Sequence, residues 1–138
     1  FHVGAYRGMV ERWGYERLRQ CSFGGNSAGV LLAIGAAQGL TWQFMEEIYQ
    51  ELAEKAAFKG VMGKMTRYHS EALEKLIGAR THVEVAGRLH VGVTYFPLRY
   101  KVSSTWVTRD ELINTVHASM HIPFYCQHIE TVDGRLAC

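Results

Sequence analysis

No block of like charge marks this sequence: fifteen Lys and Arg are scattered among thirteen Asp and Glu, for a net charge of +2 and a pI near 8.5. A basic stripe is missing, so nucleic acid is not the expected partner, and an anionic membrane surface is favoured only mildly. Cysteine is scarce as well. Cys21, Cys126 and Cys138 are odd in number and form no C-x-x-C pair, which argues against a disulfide framework and for a reducing, cytoplasmic setting. The longest apolar run, Ala28 to Ala37, is about half of a bilayer span. Repeats, low-complexity tracts and linkers are absent, and 138 residues leave room for one domain, residues 1–138. The chain opens at Phe1-His2-Val3-Gly4 in what reads as the middle of an element, so the lack of a leader sequence carries no information.

What is present alternates between two periods. Val3, Tyr6, Met9, Val10 and Trp13 recur every three or four positions and predict a helix with one buried face, ended by Gly14. Leu18 to Phe23 reads as a short buried strand running into Gly24-Gly25. Ser27 to Gln38 is apolar all round, as in a helix at the centre of a fold, and Gly39 closes it. Thr41 caps a further helix that runs through Leu52, Ala56 and Phe58. Lys59 to Thr66 reads as a loop, and Arg67 to Ile77 as an amphipathic helix stopped by Gly78. Arg88 to Phe96 alternates as a strand does, and Lys101 to Val107 has the β-branched character of a partner for it. Thr108-Arg109-Asp110-Glu111 is a capping box opening a helix that Pro123 ends. Ile129 to Val132 is a last short strand before Asp133-Gly134. Strands alternating with helices predict an α/β layered fold.

Gly25-Asn26-Ser27-Ala28-Gly29 fits the Gly-x-Ser-x-Gly pattern of a nucleophile elbow. A serine on a tight strand-to-helix turn has strained dihedrals, and side chains two positions either side would collide with the adjoining elements. The turn also lifts Oγ to a helix N-terminus, where unpaired N–H groups favour developing negative charge. Roughly one chain in twenty of this size contains the pattern by accident, so its weight comes from the apolar strand before it and the buried helix after it. A plain glycine turn with Ser27 as N-cap is the competing reading.

The nucleophile requires a base. No histidine follows Asp133, so the Ser-acid-His order of ordinary α/β-hydrolases is open only to Asp110 with His117, His121 or His128. Asp110 already has a structural task in the capping box. Asp133 taking the serine proton directly requires no histidine. His117 and His121 are one turn apart, but Ala118 replaces the Glu of an H-E-x-x-H zinc motif, so no metal is expected. No Lys follows Gly29, which disfavours nucleotide binding. Met62, Met65, Trp13 and Trp42 read as core or lid residues, and no cofactor is expected.

These motifs together resemble the patatin-like phospholipases, most closely the branch of adiponutrin and adipose triglyceride lipase. His2-Val3-Gly4-Ala5 is similar to the start of that family's first helix. Gly24-Gly25-Asn26-Ser27-Ala28-Gly29 resembles its elbow, and Ala118-Ser119-Met120-His121-Ile122-Pro123-Phe124-Tyr125 resembles the segment that precedes its catalytic aspartate. Val132-Asp133-Gly134 resembles the Asp-Gly dipeptide that carries it, and Thr108 to Ile113 a helix start of that branch. The resemblance implies a three-layer α/β/α fold, here incomplete because the first strand and the glycine-rich oxyanion loop would lie before Phe1. It further implies a metal-free Ser-Asp dyad with Ser27 as nucleophile and Asp133 as general base, an elbow of Gly25, Ala28 and Gly29, and the Ala28 N–H as oxyanion donor. The implied substrates are acyl esters of phospholipids or acylglycerols at a membrane or lipid-droplet surface, approached peripherally from the cytoplasm. Arg135 departs from the pattern, which has a small residue after Asp-Gly; a lipid-surface module without turnover, or an acyltransferase, are the alternative expectations.

Overall fold

The computed structural model describes residues 1–95, 97, 99–123, 125, 126, 131, 132 and 134–136. Six helices and two small sheets are found among them, in the order α1 (His2–Leu18), β1 (Phe23–Gly25), α2 (Ala28–Gln38), α3 (Trp42–Lys59), α4 (Met65–Leu76), α5 (Thr81–Glu84), β2 (Leu89–Tyr95), β3 (Arg99–Ser103), α6 (Arg109–Ser119), β4 (Thr131–Val132) and β5 (Arg135–Leu136). The fold is mixed α/β.

β2 is the middle strand of the main sheet. It pairs in parallel with β1, Phe23 opposite Leu89, and antiparallel with β3, Tyr95 opposite Arg99. Its odd-numbered side chains Leu89, Val91, Val93 and Tyr95 are all buried and join the core with Val30, Leu31, Ile34, Leu112 and Val116 of α2 and α6. The opposite face is open: Tyr100 and Val102 of β3 are 59% and 50% exposed, and His90 and Thr94 of β2 are half-buried. Among the described residues helices α2 and α6 cover this one face of the sheet, and the incomplete three-layer arrangement expected is neither shown nor contradicted.

α2 is buried on nearly every side, as its composition requires. It packs closely on α3, where a side chain at Gly35 would overlap the Met45 thioether. Thr41 caps α3 by accepting from the Phe44 N–H at 3.3 Å. Thr108 caps α6, its Oγ1 accepting from the Glu111 N–H at 3.1 Å, while Glu111 Oε2 reaches back one residue past the cap to accept from the Val107 N–H at 2.7 Å.

Four boundaries differ from expectation. Gly14, at φ 74° and ψ 157°, breaks the helical path of α1 as expected, but a further helical stretch follows the kink to a buried Leu18. The strand expected at Leu18–Phe23 is consequently displaced to Phe23–Gly25, so the elbow glycines themselves form the ladder with β2. β3 stops at Ser103 because Trp106 turns inward, 7% exposed, with Nε1 donating to Thr115 Oγ1 at 3.1 Å. α4 begins at Met65, whose N–H donates to the Tyr125 carbonyl at 3.1 Å. At the other end of the chain, β4 and β5 form a two-stranded ribbon, Val132 opposite Arg135, and β4 lies against α6.

Candidate active site

β1 delivers the chain to Ser27, and α2 leaves from it. Ser27 has φ 50° and ψ −135°, the one positive φ of a non-glycine residue among those described. A conformation so rarely populated costs about 1–3 kcal/mol and persists only where the surroundings hold it. The surroundings do so from two sides. The Ser27 N–H donates to Ser119 Oγ at 3.1 Å, from the last residue of α6. The Asn26 side-chain oxygen accepts from the Tyr100 hydroxyl at 3.0 Å, and the two meet above Gly92, where any side chain would overlap both. Sequence reading gave Ser119, Tyr100 and Gly92 no role. Their only signal was Ser119's place in the Ala118–Tyr125 segment; contacts across most of the chain leave no local pattern.

The flanking glycines are not equivalent. A Cβ on Gly25 would come within 2.6 Å of the Gly29 carbonyl oxygen and 2.7 Å of the Val30 nitrogen, both backbone atoms that cannot yield. At Gly29 the nearest atom would be His2 Nε2 at 3.6 Å, an ordinary contact. The expected collision therefore holds for Gly25 and is not found at Gly29.

Ser27 stands at the N-cap position of α2, but its side chain makes no capping hydrogen bond. That removes the plain N-cap reading, in which Oγ would be occupied by an N–H of the first turn. Ser27 and Ala28 are both exposed. Within the turn, the Gly29 N–H donates to the Asn26 carbonyl and the Val30 N–H to the Ser27 carbonyl, each at 3.0 Å. No partner among the described residues takes the Ala28 N–H, which is the donor an oxyanion would need. The first turn is anchored from below by the Tyr49 hydroxyl, donating to the Ala28 carbonyl at 2.6 Å, and burial pushes the Tyr49 pKa up to about 12. An apolar groove bounded by Tyr6, Met9, Phe23, Gly25, Leu32 and Ala36 runs along β1 beside the elbow.

Asp133 and His128 lie outside the described residues. Asp110 is exposed in the first turn of α6. His117 Nε2 lies 3.3 Å from Ser70 Oγ on α4, and His121 is buried with Nδ1 unpaired. His69, 4% exposed, has its pKa pushed down to about 4, chiefly by burial and secondly by His117. No three His, Cys, Asp or Glu side chains among the described residues come together as metal ligands. No helix among them is long and apolar enough to cross a membrane.

Over 131 residues the chain is 24% identical to human 1-acylglycerol-3-phosphate O-acyltransferase PNPLA3, a match that covers 91% of this chain and 27% of that protein. The chain thus spans about a quarter of the length of this curated relative. No protein-family model and no solved structure matches it.

Proposed function

We propose that this chain is the catalytic part of a lipid acyl hydrolase in which Ser27 is the nucleophile and Asp133 its base. The observation that carries the reading is the backbone of Ser27: a strained elbow, held from two sides, whose Oγ makes no capping hydrogen bond at the start of a buried helix. Structural serines have no need of such a conformation. The similarity to human PNPLA3 supports a lipid substrate, and the packing of β4, which leads to Asp133, against the helix that bears Ser119 supports Asp133 as the base.

In this mechanism Ser27 Oγ attacks the ester carbonyl as its proton passes to the Asp133 carboxylate. The Ala28 N–H stabilises the oxyanion, the bond to the alcohol breaks, and the alcohol leaves with the proton held by Asp133. Water then gives a proton to Asp133 as it attacks the acyl-serine, and Asp133 returns that proton to Ser27 Oγ as the C–O bond breaks and the fatty acid leaves. The substrate class is acyl esters of phospholipids or acylglycerols, met at a membrane or droplet surface. A second reading has its own support, since the human relative is named as an acyltransferase: the same acyl-serine would pass its acyl group to a lipid hydroxyl in place of water.

A long-chain fluorophosphonate tests what both readings share. The intact protein is expected to be labelled at Ser27, identified by peptide mass, and an unlabelled Ser27 in folded protein rejects both. Product analysis separates them. Free fatty acid with and without added lysophosphatidic acid identifies a hydrolase; a new diacyl product at the expense of fatty acid identifies a transferase.

A further inference from the structure

α3 passes Gly35 at Met45 and reaches the first turn of α2 at Tyr49, so it runs antiparallel to α2. Its remaining residues, 50–59, run along α4, held there by Lys75 to Glu51 and Lys55 to Glu71. The loop after α3 ends at Met65, whose N–H bonds the Tyr125 carbonyl in the segment that follows Ser119, the residue that takes the Ser27 N–H. Phe58 is 89% exposed at the tip of α3, and Met62 in the loop is 64% exposed. A second apolar pair joins them. Ile122, three residues after Ser119, and Tyr125, tied to the base of the loop by the Met65 N–H to Tyr125 carbonyl bond, are 44% and 40% exposed.

Charge distinguishes this patch from an ordinary exposed apolar cluster. From Phe58 to Arg67 the sequence holds Lys59, Lys64 and Arg67 and no acid. Arg67 is paired with Glu71, which also takes Lys55, and Lys55 shares Glu51. Lys59 and Lys64 have no carboxylate partner among the described residues; the Lys64 ammonium donates only to the Lys59 carbonyl. These cations border a cleft between α3 and α4 immediately beside Phe58. A surface that is at once apolar at its tips and cationic around them matches headgroup phosphates lying over acyl chains.

We infer that the α3–α4 loop, with Ile122 and Tyr125 beside it, is the surface by which this protein docks on anionic phospholipid: Phe58 and Met62 enter the acyl boundary while Lys59 and Lys64 meet the phosphates. Docking there would present the mouth of the elbow to the lipid. The inference rests on the lipid-acting reading for its choice of partner. Its test does not depend on catalysis. The intact protein is floated with vesicles of phosphatidylcholine and phosphatidylserine, and in parallel with phosphatidylcholine alone. Stronger binding to the anionic vesicles, reversed by added salt, is expected of the unaltered protein. Lys59→Gln combined with Lys64→Gln should weaken that binding roughly thirtyfold, and Phe58→Ser should weaken it too. All variants should keep the melting temperature and the rate of Ser27 labelling in solution. Equal affinity for the two vesicle types, no vesicle binding at all, or charge variants that bind as the parent does would overturn the proposal. Loss of vesicle binding by the lysine variants in a protein whose Ser27 is never labelled would support the surface while rejecting the acyl-enzyme.

Discussion

Ser27 and Ser70 invite comparison because each has what the other lacks. Ser70 has a histidine, His117 Nε2 at 3.3 Å, the arrangement by which catalytic serines are usually recognised. It sits within α4, however, where its hydroxyl donates to the Thr66 carbonyl at 2.9 Å, and helix-interior N–H groups offer nothing to an oxyanion. Among the described residues Ser27 bonds no histidine, yet it holds the strained backbone, an Oγ that caps no N–H and an Ala28 N–H without a partner. On the proposed reading, the backbone, more than the neighbouring side chain, distinguishes a nucleophilic serine from one that stitches two helices together.

The sharpest way to break this comparison is to remove each hydroxyl in turn. Ser27→Ala in the intact protein should reduce hydrolysis of long-chain acyl esters on the order of a millionfold, the loss typical of a nucleophile. Ser70→Ala should leave kcat/KM within a factor of about two and act, if anywhere, on the melting temperature. Reversed results would move the site to α4.

Next in size is a pH effect on the Ser70 side. His69 is held neutral by burial, with its pKa pushed down to about 4 from the ordinary 6.5. Below pH 6.5 the unfolded chain binds a proton that the folded chain refuses, so stability falls as pH drops from 6.5 toward 4 and is flat above that window. The full loss is on the order of 3 kcal/mol. Denaturant unfolding of the intact protein between pH 7 and 4.5 should show this slope, and His69→Phe should flatten it. Ser27 labelling at pH 7 should be indifferent to the same substitution.

The two regions also differed in how far the chain could be read without coordinates. The elbow and the all-apolar helix after it were legible because strand, turn and helix periods change within a few residues, and the α6 cap was legible because its hydrogen bonds are local. β1 was misplaced because a three-residue strand of Phe-Gly-Gly has no hydrophobic alternation to announce it. β3 was overextended because Trp106 and Val107 have strand-like character, whereas Trp106 is spent on the core. The third layer was expected from resemblance alone, and the open face with Tyr100 and Val102 could not be inferred from β3, whose residues would suit either side. Ser119 was hidden for another reason: a hydrogen bond spanning 92 positions leaves no periodicity.

Ser119 gives the third prediction. Removing its hydroxyl frees the N–H of a residue that needs restraint, without touching the reacting atoms. Ser119→Ala should lower kcat about ten- to thirtyfold, equivalent to one hydrogen bond and part of the strain, with KM unchanged. Ser119→Thr, which keeps an acceptor, should recover most of the rate. A structural role alone would lower the melting temperature without that division between kcat and KM.

Tyr100→Phe is the smallest expected change and the most informative about how the elbow is held. The Tyr100–Asn26 bond is exposed and acts one residue before Ser27, so its loss should cost no more than about threefold in kcat. Its value lies in combination with Ser119→Ala. Were the two restraints independent, their effects would multiply. Both, however, oppose rotation of one short segment, residues 26–27, and either alone can keep Ser27 near its strained dihedrals. The double variant should therefore lose more than the product of the single losses, with a coupling of about 0.5 kcal/mol or more. Strict multiplicativity would mean that the clash-free packing of Gly25 against Gly29 and Val30 already fixes the turn, and that the two hydrogen bonds merely decorate it.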